Sequence, residues 1–504
     1  MKKNVALLLI LIHSVAFVWL FHKQEPGLNL FIFELLSLAS LWFILKERPQ
    51  STASKIVLAG TLISGLAMVI YFSDIALFIN ICAFYLYSGT LVFPQSRSLL
   101  SSALFAVSNT FRAPGRFFAL LFSFKGSNQS VTKTFRGLKI ALLPLVVIAI
   151  FIALYKASNP LFDKGVTELT AFIDRYWDAL MHDIDLAWLF TFLLGLFFSL
   201  LLFIHVQHKR VLAYESGQDD VLKRIRKKHL FGYKLTALND ELKSALFLLI
   251  SLNLLLLTIN SIDIYWVWFN FEWEGEYLKQ FVHEGTYLLI ISILISIALV
   301  LFFFRRNLNF YARNKTLKLL SYAWLAQNAV LALSVAMRNF WYIKYFALAY
   351  KRIGVLVFLV LTLYGIYTVY QKVRHQKSAY YLWRTNSLAT FVMLVLLTMV
   401  NWDAVIARYN FSHYRTAFVH LNFLSNLSDK TLPLLDKSLE ELKAMEAVQK
   451  ELFPFEEQYM DAEAYHKKIQ LRKEYFMSHW NEKNLRSWNF AEARAYKALS
   501  VVNK

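Results

Sequence analysis

Apolar runs of span length recur along most of the chain, separated by polar and charged punctuation. They predict eleven membrane helices, at 5–21, 28–45, 56–72, 75–93, 138–155, 186–205, 245–269, 286–304, 319–342, 353–370 and 388–400. A bilayer needs roughly 20 apolar residues per crossing helix, and most of these runs come near that. The first run follows Lys2 and Lys3 and exits through FHKQEP without a small-residue cleavage site, so it reads as a retained span rather than a signal peptide. The run at 388–400 is short, and spans only if Asn386 and Asn401 sit in the two interfaces.

The polar stretches alternate in sign. Loops at 46–55, 94–137, 206–244, 305–318 and 371–387 are basic, whereas those at 156–185 and 270–284 are rich in Asp and Glu. Lys and Arg accumulate on the cytoplasmic side of membrane proteins, which predicts a cytoplasmic N-terminus and, with eleven spans, an extracytoplasmic C-terminus. One hairpin dissents: Arg338, Lys344, Lys351 and Arg352 fall on the outer side. That bias predicts acidic partners for Arg338, Lys351 and Arg352 from Glu272, Glu274, Glu276 and Glu284. Within 94–137 the pieces LLSSALFAV and RFFALLF are too short to span and read as interfacial helices.

After residue 400 the pattern changes, which divides the chain into a transmembrane domain at 1–400 and a soluble helical domain at 401–504. The segment SLEELKAMEAVQKEL places Leu439, Leu442, Met445, Val448 and Leu452 near one helical stripe, with Ser438 and Glu441 spaced as a capping box. AEAYHKKIQLRKEYFMSHW reads as a second helix. The fold class is therefore all-α: a polytopic membrane bundle with a small helical extracytoplasmic domain.

Composition sharpens this. Of 504 residues 57% are hydrophobic and 17% charged, with 44 Phe and only 15 Gly. Soluble domains carry about 25% charged residues, and barrels alternate over short segments, so a helical membrane protein fits and a barrel does not. The net charge of +20 reads as loop bias and headgroup attraction, not as nucleic-acid binding. The partner this predicts is the lipid bilayer, with an envelope protein as a second candidate partner for the tail. A single cysteine, Cys82, excludes a disulfide framework and a Cys-based zinc site. His205 and His208 have metal-ligand spacing but no acidic neighbour in sequence, so neither a metal nor a cofactor is expected. There is no phosphate-binding glycine loop, HExxH or GxSxG, and the chain is not read as a recognisable enzyme.

The candidate chemistry lies between His283 and Asp403, together with the end of the preceding span. An ionisable group at the centre of a membrane helix costs about 2.5–3.5 kcal/mol on insertion scales. Gln327, Leu331, Ser334 and Arg338 share one helical stripe; Asn253, Asn260 and Asp263 share another. Both stripes run toward the outer leaflet, where His283, Glu284, Lys351, Arg352, Asn401 and Asp403 also fall. The candidate polar cavity is thus Asn260, Asp263, His283, Glu284, Gln327, Arg338, Lys351, Arg352 and Asp403. Contact between Asp263 and Arg338 is expected, with Asn260 completing the carboxylate's hydrogen bonds. The bland readings are snorkelling for the cations and simple helix-to-helix bonding for the amides.

The motifs FVHEGTY, FFRRNLNFY, AYKRIGV, NWDAVIARYN and RSWNF resemble a bacterial family of multi-pass membrane proteins catalogued as domain of unknown function 4173, neighbour to 4153. The resemblance covers the chain from about Asn159 onward and implies a cytoplasmic-membrane location. It brings no activity. Three functions follow for comparison: transport or lipid handling through an outward-facing cavity, a scaffold or sensor acting through the tail, and a membrane enzyme using His283 or Glu284 as acid or base.

Overall fold

The computed structural model describes residues 3–121, 158–181, 185–224, 236–271, 275–454, 456, 460–480 and 483–502, apart from the single positions 48 and 306, together with a few residues between 148 and 156. Side chains at 171–184 and 272–284 lie outside that description. No strand forms among the described residues. In order the helices are α1 Lys3–Phe21, α2 Leu28–Ala39, α3 Thr52–Ile70, α4 Asp74–Val92, α5 Leu99–Leu121, α6 Pro160–Met181, α7 Leu186–Phe203 and α8 Lys209–Ser216. There follow α9 Thr236–Asp263, α10 Gly275–Phe303, α11 Lys315–Phe346, α12 Tyr350–Arg374 and α13 Ala379–Thr398. The tail holds α14 Trp402–Ser412, α15 Leu439–Leu452, α16 Ala462–Trp480 and α17 Phe490–Val502, with shorter turns between. Two helices run on into a wider π turn: α2 into Ser40–Ile44 and α9 into Ile264–Phe269.

Among the described residues eight helices are long and apolar enough to cross a membrane, and a ninth is counted if α13 and α14 form one span bent by 65°. Leu28–Ile44 is a shorter apolar helix, and the run expected at 138–155 lies mostly outside the described residues. The short last run is extended at its N-terminal side: Ser378 accepts from Tyr381 N at 3.2 Å and starts α13 well before residue 388. The two apolar pieces expected between 94 and 121 are one helix, α5, even though Pro114 lies within it. Its buried face, including Phe105, Ala106 and Asn109, packs on α4 and α7.

Two apolar cores stand side by side. One is built from α1–α5 and α7 around Phe17, Phe33, Phe84 and Tyr87; the other from α9–α12 around Trp324, Leu331 and Val335. α13 joins them, packing on α12 and inserting Phe391 and Val395 into the first core. A third core, under the tail, gathers Ile406, Leu424, Leu442, Tyr465 and Ile469, and takes Ile353 from α12.

The loops sort onto two faces. On one, Ser51 N donates to Pro94 O, Gln207 to Val92 O, Leu222 N to Gln376 O and Gln376 to Asn309 O, so the basic connections lie together. On the other, Asp185 pairs with His22 and Lys23, and the tail covers the opposite loop ends. Lys430 donates to Phe72 O, Phe418 N to Tyr345 O, and Leu28 N to Trp488 O. Gly27 is needed there: a Cβ would stand 2.8 Å from Ser487 O.

Within the tail, the Ser438–Glu441 capping box forms at the start of α15, and AEAYHKKIQLRKEYFMSHW is α16. The expected apolar stripe is only half right. Leu442 is fully buried, but Leu452 is exposed and Gln449 takes the buried position. Gln449 accepts from Val419 N and donates to Ala417 O and Tyr414 O, tying an irregular segment to the helix.

Candidate functional site

The polar stripes of α9 and α11 face each other. Gln327 donates to Asn253 Oδ1 at 2.8 Å, and Asn253 donates to Leu320 O. Two turns further along α9, Asn260 donates to Gln327 O at 3.0 Å. Beyond that, Arg338 Nη2 donates to Asp263 Oδ1 at 2.5 Å. Trp268 and Trp341 then bond to Ser334 Oγ and Val267 O, closing the seam where α9 passes into its π turn. π turns recur at functional positions because the widened ring displaces the following side chains.

The Asp263–Arg338 pair is almost dry, with side chains 7% and 8% exposed. A paired Asp and Arg tolerate burial far better than either alone. Asn260 does not complete the carboxylate, because its amide is committed to Gln327 O across the helix interface. Asp263 Oδ2 and Asn260 Oδ1 meet no hydrogen-bond partner among the described residues. α10 stands beside the pair about three turns into its length: a Cβ on Gly285 would lie 3.2 Å from Arg338 Nη1. His283 and Glu284 precede that glycine, and their side chains lie outside the described residues.

Arg352 is held at the end of α11 by backbone carbonyls. Its Nη1 donates to Phe346 O at 2.5 Å and to Ala347 O, and its guanidinium lies over the Tyr342 ring. The carboxylates expected as partners, Glu272, Glu274, Glu276 and Glu284, all have side chains outside the described residues. The physical reason for the carbonyl contacts is local. α11 ends at Ala347 with φ 61°, and the last carbonyls of a helix have no partner inside it. An arginine there completes them and meets the negative end of the helix dipole.

Arg352 and the exposed Lys351 line a cavity of about 420 Å³. Its walls are Thr286 and Tyr287 from α10, Asn339 and Tyr342 from α11, Tyr350 and Val355 from α12, and Phe423 from the tail. The described lining contains two cations, four aromatic rings and no carboxylate. Asn339, next to Arg338 in sequence, reaches Arg352 O at 3.1 Å and connects the cavity wall to the buried pair.

Asp403 belongs to a neighbouring cluster rather than to the cavity lining. It accepts from Tyr350 and Ser428, and Lys430 Nζ stands 3.6 Å away. Burial holds the Lys430 ammonium below the usual lysine range, with Asp403 opposing that shift. Of the candidate residues, then, the structure joins Asn260, Gln327, Asp263 and Arg338 in one seam, sets Lys351 and Arg352 on the cavity, and places Asp403 behind Tyr350. Sequence reasoning missed Tyr350, Tyr342 and Phe423. Tyr350 stood within AYKRIGV, but an aromatic at a helix start gives no signal that distinguishes wall from interface anchor.

No cluster of three or more His, Cys, Asp or Glu side chains suited to a metal occurs among the described residues. His205 instead faces Glu47 at 3.5 Å, and His208 accepts from Arg210 N at the start of α8.

Fold and spans define a polytopic all-α membrane protein, two helical bundles wide, with helices of its tail laid over one face. Its family is the one described as Domain of unknown function (DUF4153), whose model matches residues 35–438, and the chain belongs to it. The sequence resemblance pointed first to the neighbouring 4173 family; the match is to 4153, and it begins far earlier than residue 159. No curated protein and no solved structure matches the chain.

Proposed function

We propose that this protein binds an anionic amphiphile of the bacterial envelope at the cavity between α10, α11 and α12, as part of a transport or lipid-handling activity. The supporting observation is the cavity lining: Lys351 and Arg352 at apolar, aromatic walls, with no described carboxylate among them. Basic side chains attract anionic headgroups by about 1 kcal/mol each near a membrane surface. Arg352 is fixed by carbonyls and a ring, so little side-chain freedom is lost on binding. The membrane is the bacterial cytoplasmic one, the basic loop face lies in the cytoplasm, and the cavity opens on the opposite side.

Native mass spectrometry of the full-length protein tests this with phosphatidylglycerol and phosphatidylcholine. Wild type is expected to retain phosphatidylglycerol preferentially. Lys351→Gln is expected to weaken that by about five-fold, the equivalent of ~1 kcal/mol. Equal retention of the two lipids, or an unchanged Lys351→Gln, overturns the proposal.

One observation favours a second reading, a scaffold or sensor. The Asp263–Arg338 and Asp403–Lys430 pairs are buried rather than open to the cavity, as expected of charges that only hold helices together. That reading places function in the tail surface, and predicts that neither lipid is distinguished in the same measurement.

A further inference from the structure

We propose that Glu34 is a buried proton-exchange site in the first bundle, distinct from the cavity and independent of the lipid reading. Glu34 lies six residues into α2, about 9 Å along the helix from its start. It is 2% exposed. Oε1 accepts from Asn80 Nδ2 at 2.7 Å, and Oε2 meets no hydrogen-bond partner among the described residues.

The surrounding groups have little else to offer it. Asn80 Nδ2 also faces Thr61 O and Ser64 Oγ. The Thr61 hydroxyl donates to Val57 O and the Ser64 hydroxyl to Gly60 O, so neither turns to the carboxyl. Oε2 is seated in a notch at Gly65, where an added Cβ would overlap it. A charged carboxylate with one neutral donor and no cation is among the costliest arrangements in a membrane interior, and a proton removes that cost. Glutamine would fill the same space without titrating, so shape alone does not call for an acid.

Further buried polar side chains follow on the same helix. Ser37 and Ser40 follow Glu34 in successive steps of three residues, each a helical neighbour of the one before, and both are buried. Ser37 Oγ has no hydrogen-bond partner among the described residues. Ser40 opens the π turn and its hydroxyl meets His13 Nε2 at 3.3 Å, while His13 Nδ1 meets Leu9 O. These polar groups extend from Glu34 toward the basic loop face, and among them Ser40 and His13 are the pair in hydrogen-bond contact.

Other titratable groups on the packed elements stand aside from Glu34. α3 carries only Lys55, near its far end; α4 carries Asp74 at its start and Cys82, Tyr85 and Tyr87 beyond Asn80. Arg486, on the turn that packs against α2, is engaged with Trp19 O. None of them is recorded bonding to the Glu34 carboxyl, whose described partner is Asn80.

Two measurements on the full-length protein in liposomes test this between about pH 5 and about pH 9, which brackets ordinary and burial-shifted carboxyls. Infrared difference spectra of the Glu47→Gln background are expected to show a protonated-carboxyl C=O band that shifts in D2O, weakens as pH rises, and is lost on adding Glu34→Gln. Dicyclohexylcarbodiimide, which adds to protonated buried carboxyls, is expected to label Glu34 less as pH rises. Identical carboxyl bands in that background with and without Glu34→Gln overturn the proposal. So does a Glu34 band unchanged across the range, since the proton then never leaves. Protection from labelling by sodium at fixed pH also overturns it, in favour of a cation site.

Discussion

At the scale of single residues, the Asp263–Arg338 pair is the clearest test of how charge is carried in this fold. Removing one partner of a buried pair leaves the other uncompensated, at about 3–5 kcal/mol. Asp263→Ala and Arg338→Ala are each expected to lower thermal stability in detergent sharply. The double exchange, Asp263→Arg with Arg338→Asp, is expected to recover more folded protein than Asp263→Arg or Arg338→Asp alone, measured by fluorescence-detected size exclusion. Equal yields from the double and single variants would show that the pair is not a coupled unit. The contact was legible in sequence because both residues continue polar stripes at helical spacing toward the same leaflet. The role of Asn260 was not, since spacing gives a face but not the rotation of one helix against its neighbour. The carbonyl contacts of Arg352 were not legible for a related reason. Sequence showed a cation on the wrong side, but not that Ala347 takes φ 61° and turns two carbonyls toward it.

At the scale of elements, the junction between the π-turn end of α2 and the end of α7 carries a pH-sensitive contact. Beyond those helices, Glu47 Oε2 and His205 Nδ1 stand 3.5 Å apart, and His205 Nε2 bonds to Leu202 O. Burial raises the Glu47 carboxyl to about 7 and lowers the His205 imidazole to about 4, so between those two values both are neutral in the folded protein. The two act in opposite directions. The Glu47 contribution is full below about 4.5 and is lost as pH rises to about 7. The His205 contribution is full above about 6.5 and is lost as pH falls to about 4. In wild type they nearly cancel over their shared range. Glu47→Gln is expected to gain stability with rising pH through that range, and His205→Asn to lose it, each by about 2–3 kcal/mol in melting experiments. Two variants with the same pH slope would refute the assignment. Most helices were legible from hydropathy and caps, including the Ser438 capping box. The bend between α13 and α14 was not, because Asn401 caps a new helix where a run of apolar residues simply ends. Gln449 was hidden as well: an amide serving three backbone groups looks in sequence like ordinary surface polarity.

At the scale of the whole molecule, the basic loops and the tail occupy opposite faces. The alternation of loop charge in sequence therefore corresponds to a physical division of the fold. An alkaline phosphatase fusion after the tail is expected to be active in cells, and a fluorescent-protein fusion at the same point dark, if the basic face is cytoplasmic. The reverse pattern would invert the orientation and move the cavity to the cytoplasmic side. What the sequence could not convey at this scale is that α13 belongs to both bundles, because a helix shared by two cores has the same apolar pattern as a helix in one.

The bond from Leu28 N to Trp488 O has a consequence in time rather than in space. Gly27 gives α2 no side-chain cap, and the Leu28 amide finds its acceptor on a segment that leaves the ribosome some 460 residues later. During synthesis the earliest hairpin is therefore an unfinished part, inserted but not closed. Closure by the Trp488 strap, with Arg486 on Trp19 O, occurs only once the last helices have been made. A chain interrupted before residue 488 keeps its spans yet exposes that opening, which gives membrane proteases a means of telling aborted products from finished ones.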